Sequence, residues 1–285
     1  MIVNRLWREY ILQDVYPRRG IKFSKLQQSA IEKALLAPSR FFYGGGGERS
    51  GKSFLAAVIA LLWLDAPIFT GEKRPPTEYW IAGNDYYRSR AEFQYMWNIL
   101  SSEGLLSRYH IPDDKDAQWT MTTTWNATIK TLSTSVPADI SSFSINGFIM
   151  AEPGRQKEEA HLRLHGRVSE TSGWGICVGT NEKSRRWFTD ILASLSLLGD
   201  PSSPVVSIPT WANEAAYPGG LANPEILRLR RKYGSNTALF DERYAGTPST
   251  RAGLILPEFS EPFHCRAVEY DPSFPVEVAI DPATH

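Results

Sequence analysis

The stretch GGGGERSGKS, Gly44 to Ser53, carries the pattern G-x-x-x-x-G-K-S/T, with Gly46, Gly51, Lys52 and Ser53 at its fixed positions. These residue types at this spacing make a phosphate-binding loop, the Walker A motif. Glycine accepts the tight turns that let successive backbone N–H groups, from Gly46 and Gly47 through Arg49, Ser50 and Gly51, face an anion. A helix beginning where the loop ends adds partial positive charge. Lys52 is long enough to reach the outer phosphates of a nucleoside triphosphate, and the Ser53 hydroxyl is a hard oxygen ligand for Mg²⁺. The loop therefore implies a nucleoside triphosphate and Mg²⁺ as ligands.

Hydrolysis needs a second group, one that holds the attacking water. The run GFIM, Gly147 to Met150, reads as a short buried strand with Ala151 and Glu152 at its end. In P-loop ATPases such a strand ends in an Asp that holds Mg²⁺, and the Glu that follows orients and polarises water. Here Ala151 takes the Asp position and Glu152 remains, so the strand is a degenerate Walker B with Glu152 as the expected catalytic residue. A surface Glu at a strand-to-turn junction is the plainer alternative. A further strand, Gly175 to Val178, ends in Gly179-Thr180-Asn181. In the crevice of a parallel sheet Thr180 and Asn181 could sense the γ-phosphate; they could also be ordinary turn residues. Gln27 and Gln28 lie upstream of the loop, and a glutamine amide can meet an adenine edge as donor and acceptor together; Gln27, spaced before Ala30 and Ile31, is the first choice. Arg155, Arg163 and Arg167 lie in or beside a helix-like stretch and are each either an arginine finger or a helix-face charge. His161 and His165 have the i, i+4 spacing of a helical metal pair, but no third ligand is evident and a surface pair is expected. Arg88 and Arg90 could contact phosphate, and the cluster Arg18, Arg19 and Lys22 could contact DNA, but surface charge is the expected role of both groups.

These groups need a scaffold. RFFY, Arg40 to Tyr43, leads into the loop as a buried strand, and FLAAVIALLWL, Phe54 to Leu64, leads out as a buried helix, the context the motif requires. Met1 to Gly20 reads as an amphipathic helix with Leu6, Tyr10, Leu12 and Val15 on one face, closed by Pro17 and Gly20. Ser24 is a plausible N-cap for a helix through Leu36. EYWIAGND, Glu78 to Asp85, reads as a second buried strand, and YYRSRAEFQYMWNILSSEGLL as a helix with Phe93, Met96, Trp97 and Leu100 on one face. Alternation from Trp119 to Ser133 predicts a hairpin turning near Asn126. Strands alternating with helices predict an α/β fold with a mainly parallel sheet. The change of character after SLSLLGD, followed by NPEILRLRRKYG, marks a smaller subdomain and a connector.

The chain of 285 residues suffices for one large domain or two modest ones. Lys plus Arg (31) equals Asp plus Glu (31), which excludes a strongly basic surface, so any nucleic-acid contact must come from a local patch or a partner. The two cysteines, Cys177 and Cys265, build neither a disulfide framework nor a cysteine-based zinc site and point to a reducing compartment. MIVNRLWREYILQD carries charges throughout, unlike a signal peptide, and the longest apolar run, Phe54 to Leu64, is too short to span a membrane.

Taken in order, GGGGERSGKS, then GFIMAEPG with LRLHGRVSE, then GICVGTN, SIPTWANEAAYPGGLANPEI and FDERYAGTPSTRAGLILPEF resemble the ATPase part of a tailed-bacteriophage terminase large subunit over nearly the whole chain. The resemblance implies a P-loop NTPase of the additional-strand, catalytic-glutamate (ASCE) class, a three-layer sandwich with a small lid and linker. It implies an ATPase core over residues 1–199, a lid/linker over 200–262, and in 263–285 a linker with the first strand of an RNase H-like nuclease domain, truncated where the chain stops. Glu152 would be the catalytic glutamate, Gly179-Thr180-Asn181 the coupling motif, Gln27 or Gln28 the adenine reader, and Asp281 one ligand of an incomplete nuclease metal site. The implied partners are double-stranded DNA, the portal protein of a procapsid, the small terminase subunit and further copies in a ring on the capsid, with a monomer in solution; the implied setting is the host cell cytoplasm, with no membrane.

The chain departs from that family in two places. Ala151 replaces the metal-holding Asp, and ADISSFSING has no Arg where many members carry one used between subunits, leaving Arg167 as the substitute. Arg49, the phosphate-sensing Arg of the loop, is displaced by one position, where Glu48 stands. Another P-loop nucleic-acid motor of helicase type, or a nucleotide-binding scaffold with impaired hydrolysis, are the competing readings; a nucleoside kinase lacks a recognisable acceptor site.

Overall fold

The structure, a computed structural model, describes residues 5–37, 40–64, 66–70, 72–140, 143–181, 186–199, 203–234 and 237–247. Asp281, the segment 263–285 and the end of the expected lid lie outside them.

Eight strands among the described residues form one sheet: β1 Phe41–Gly46, β2 Thr77–Gly83, β3 Leu106–His110, β4 Thr120–Thr123, β5 Ala127–Ser133, β6 Gly147–Ala151, β7 Trp174–Gly179 and β8 Val205–Ile208. Their order is β3-β4-β5-β2-β6-β7-β1-β8. From β5 to β8 all neighbours pair in parallel, while β3 and β4 add an antiparallel edge. Strands β6 and β7 are buried along their whole length, which is why they read as continuous apolar runs and not as alternation. β7 separates the loop strand β1 from β6, so the additional strand that the sequence implied is present.

The helices are α1 Arg5–Glu9, a π-helical segment Tyr10–Val15, α2 Tyr16–Arg18, α3 Lys25–Leu36, α4 Lys52–Trp63, α5 Arg90–Ser102, α6 Glu158–Ser169, α7 Trp187–Leu198, α8 Pro224–Tyr233 and α9 Thr237–Phe240. Successive strand side chains point to opposite faces, and the core divides accordingly. Phe42, Ile81, Ile149 and Ile176 pack with α4 and α5. Tyr43, Trp80, Phe148 and Cys177 pack with α6 and α7. Helix, sheet and helix make the expected three layers. Helix α4 is apolar almost all round, so it serves as the buried centre of its layer. Trp7, fully buried, donates its indole N–H to Leu61 O (2.6 Å) and ties the N-terminal helix to α4.

Four expectations differ in detail. Strand β8 pairs with β1, so the sheet extends to Ile208, past the expected core boundary at 199; its four residues were hidden by the prolines around them. The N-terminal helix buries Trp7, Ile11 and Val15, at i, i+4 and i+8, and leaves Leu6 half exposed; the largest apolar side chain set the face. Helix α5 stops at Ser102, because Gly104 takes a left-handed conformation (φ +66°) and releases Leu106 into β3. His161 and His165 are not a surface pair. They line the inner face of α6, where His165 stacks on Phe41 (4.2 Å between rings), lies 3.2 Å from the Tyr43 hydroxyl, and His161 packs on Trp187. Burial pushes their pKa values down, to about 3 for His161 and about 4 for His165.

Candidate nucleotide-binding and catalytic site

The phosphate loop begins where β1 ends. Gly51 closes it in a left-handed conformation (φ +88°), open to glycine at little cost, and α4 starts at Lys52. The first N–H groups of α4 have no carbonyl one turn back to accept them and remain available to an anion. Three neighbouring residues fix the loop's carbonyls: Thr210 Oγ1 donates to Glu48 O (2.6 Å), Asn213 Nδ2 to Arg49 O (2.9 Å), and Lys52 Nζ to Gly47 O (2.7 Å). The segment Asp241–Gly246 braces the other side. Glu48 N donates to Arg243 O (2.7 Å), and any side chain at Gly47 would collide with Tyr244 O. Ser50 is fully buried, and its hydroxyl has no hydrogen-bond partner among the described residues.

Glu152 follows β6 in a left-handed conformation (φ +51°), unusual for a non-glycine residue. That backbone turn, with its N–H bonded to Val178 O (3.0 Å), swings the carboxylate back over the strand ends, where Thr180 N donates to it (2.9 Å). Thr180 and Asn181 are buried at the end of β7, and Asn181 Nδ2 donates to Gly246 O (3.1 Å). The water-holding candidate, the Thr-Asn pair and the brace beneath the loop thus form one hydrogen-bonded chain. Ala151, one residue before Glu152, is buried on the α4 and α5 side of the sheet by alternation with Ile149. Its carbonyl accepts from Gln156 Nε2 (2.6 Å), which also reaches Ala82 O (3.2 Å) and so fastens β6 to β2.

A cleft of about 560 Å³ opens above these groups, lined by Arg49 to Phe54, Ala91, Tyr95, Glu152, Asn213, Ala216 and Tyr217. Its volume lies in the range of small-molecule sites. The Lys52 ammonium, buried here, is pushed below the usual lysine range by desolvation, with Glu152, Glu48 and Glu92 opposing the shift. Glu92, in the first turn of α5, is 1 % exposed, and the Ser53 side chain lies close enough to favour its ionised form. Burial raises its pKa to about 7, and Oε2 has no partner among the described residues. The donors gathered here, a hydroxyl and carboxylate oxygens, are the hard oxygens that Mg²⁺ prefers, and one of them is unpartnered, so the site fits that ion.

Gln27 is buried beside the loop: its amide nitrogen would come within 3.0 Å of a Cβ at Gly51, while its oxygen accepts from Ser24 N (3.0 Å) in a capping box that starts α3. Gln28 is exposed and donates to Phe23 O (3.0 Å). Arg163 pairs with Glu159 (2.8 Å), and Arg90 donates to Asp114 O and Lys115 O, holding α5 to a loop. Arg167 is not brought to the site. Its carbonyl accepts from Ile145 N, just before β6, so the whole strand separates it from Glu152.

Sequence reasoning missed Glu92, Thr210 and Asn213. The signal for Glu92 was its register: with Met96 and Ile99 it falls at i, i+4 and i+7, a carboxylate on the apolar stripe of a helix. Thr210 and Asn213 follow β8 at its carboxyl end, where ligand-site residues gather in such sheets, but β8 itself was not read as a strand.

No protein-family model matches the chain, and no curated protein sequence matches it. Solved structures do. The large terminase of a thermophilic bacteriophage, in complex with ADP, superposes with a TM-score of 0.59 at 15% identity, over 85% of this chain and 57% of that one. The same protein has been solved with ATP-γ-S. The large terminase of bacteriophage HK97 gives a TM-score of 0.61 at 14% identity, over 80% and 51%. The large terminase ATPase domain of Thermus phage P74-26 gives 0.53 at 14% identity, over 81% of this chain and 96% of that domain. The chain therefore spans a little over half the length of the first two terminases and nearly all of the P74-26 ATPase domain. Its fold is that of the phage large terminase ATPase domain, a P-loop NTPase.

Proposed function

We propose that this chain is the ATP-hydrolysing motor part of a viral terminase that drives double-stranded DNA into a procapsid. The observation that carries the reading is the placement of Glu152. It stands at the end of a strand one removed from the loop strand, on the cleft that the loop lines, with its carboxylate held by Thr180 N (2.9 Å). ADP and ATP-γ-S bound to the structurally similar terminase of the thermophilic phage support the choice of an adenine nucleotide.

In this reading the N–H groups from Gly46 to Ser53, with Lys52 and Arg49, hold the phosphates, and Lys52 exchanges its bond to Gly47 O for phosphate oxygens. Ser53 would ligate Mg²⁺, which when bound neutralises charge on the outer phosphate oxygens. Glu152 accepts a hydrogen bond from the attacking water and aligns it on the γ-phosphate; positioning and charge stabilisation supply most of the rate. Departure of the phosphate removes the group that Thr180 and Asn181 sense, and the bond from Asn181 to Gly246 O passes that change to the brace under the loop. Gln27 or Gln28 would read the adenine edge; for Gln27 this means releasing its oxygen from the cap. Arg167 would act on the site of a neighbouring copy in a ring on the capsid, in the host cytoplasm, with portal protein and small terminase subunit as further partners.

Phosphate release from ATP tests the reading. Lys52→Ala and Glu152→Gln should each lower it at least about a hundredfold, the scale of losing a main transition-state or water-positioning group. Hydrolysis that survives both substitutions would sink it.

A further inference from the structure

The carboxylate missing at Ala151 is supplied from another element. We propose that Glu92, in the first turn of α5, holds the nucleotide's Mg²⁺ together with Ser53, the task that an acidic residue at position 151 would otherwise perform; this rests on the ATPase reading above.

Three observations converge on it. First, Glu92 is 1 % exposed and sits on the stripe of α5 that faces α4 and the sheet, next to the buried apolar residues Phe93 and Met96. A carboxylate there destabilises the fold unless a polar or charged partner meets it. Second, one oxygen has no partner among the described residues, while Ala91 and Tyr95, which flank the group on α5, line the cleft together with Ser53, the loop residue whose hydroxyl is the metal ligand of the motif. Third, Ala151 ends β6 on this same face. Glu92, one methylene longer than an aspartate and carried on α5, which packs against both α4 and β2, stands on the side of the sheet that the loop serine shares. Lys52 is close enough to act on Glu92 electrostatically, which offers a rival role: a simple counter-ion for the lysine. The two roles part on nucleotide binding. A counter-ion for Lys52 affects the nucleotide with or without metal; a metal-holding carboxylate acts only when Mg²⁺ is present.

The experiment titrates a fluorescent ADP derivative into the full chain in EDTA and in excess Mg²⁺, and reads the ratio of the two affinities. Glu92→Gln, which keeps the side chain's shape, should leave binding in EDTA unchanged and cut the Mg²⁺ enhancement about tenfold or more, the usual scale for losing a group that supports a metal. Adding Ala151→Asp to that variant should restore the enhancement. Glu92→Asp, which keeps the charge but withdraws it by one methylene, should lose part of it and carries the test if Glu92→Gln does not fold. An enhancement unchanged in these variants, or a loss seen equally in EDTA, would overturn the proposal while leaving the ATPase reading standing. Failure of the unsubstituted chain to bind the nucleotide in either condition would overturn both.

Discussion

At the scale of single residues, the site divides into groups that bind and groups that act. In the proposed reading Lys52 and Ser53 would bind and Glu152 would act, its left-handed backbone turning the carboxylate toward Thr180 N. Its link to Thr180 N is made by a backbone donor, so a change at the Thr180 side chain leaves that bond in place while disturbing what lies beyond it. We expect Thr180→Val to keep ADP affinity near that of the unsubstituted chain and to lower the hydrolysis rate, and steady-state rates beside binding isotherms will check this; equal loss of both would mean that Thr180 is only a packing residue. The sequence made the loop and Glu152 legible because both carry strict local grammar: fixed spacing in one case, an apolar run ending in a carboxylate in the other. Glu92 was not legible in that way. Its meaning depends on α5 lying against α4, a contact between segments far apart in the chain, and the local sign was only its place on the apolar stripe with Met96 and Ile99. Gln27 was found by position, but its engagement in the capping box with Ser24 became visible only with the helix start in place.

At the scale of elements, the loop is held from outside. Thr210 and Asn213 after β8 and the segment Asp241–Gly246 take up the loop's carbonyls and N–H groups. Asn213→Ala removes one such hold and should weaken ADP binding several-fold, the worth of about one hydrogen bond, with little change in melting temperature. Ser24→Ala should cost α3 about 1 kcal/mol as the loss of an N-cap, read as a lower urea midpoint. The layer between α6 and the sheet sets a pH dependence. His161 and His165 are held neutral by burial, with pKa values near 3 and 4, against about 6.5 in an unfolded chain. Below that value the unfolded state takes up protons that the folded state refuses, so stability falls as the pH drops from about 6.5 toward the folded values. Urea midpoints measured from pH 7.5 down to 4.5, approximate settings that bracket this window, should fall less steeply in His165→Phe than in the unsubstituted chain. The helical spacing of the two histidines was plain in the sequence; that they face inward was not, because HLRLH presents leucine on more than one side. Most strands of the sheet were readable as buried apolar runs, and the hairpin by its alternation. Strand β8 and the antiparallel β3 were lost for opposite reasons, the first short and ringed by prolines, the second mostly exposed and continuous with a helix pattern.

At the scale of the whole molecule, charge is balanced, 31 Lys and Arg against 31 Asp and Glu, and the proposed reading makes the chain one subunit of a ring. Arg167 lies a strand's length from its own Glu152, and the proposed reading assigns it to a neighbour's site. If it does, Arg167→Ala and Glu152→Gln chains, each inactive alone, should regain hydrolysis when mixed, and hydrolysis per chain should rise with protein concentration; no recovery at any mixing ratio would remove Arg167 from the mechanism. The resemblance in sequence and the superposition on terminase ATPase domains at 14–15% identity agree on the scaffold because burial pattern, more than identity, specifies a parallel sheet. The central claim, that this scaffold hydrolyses ATP through Glu152, is tested most directly by measuring ATP binding and phosphate release on the same samples of the unsubstituted chain and Glu152→Gln. We expect Glu152→Gln to bind ATP as tightly as the unsubstituted chain and to release almost no phosphate. Phosphate release at the unsubstituted rate, with binding intact, would contradict it.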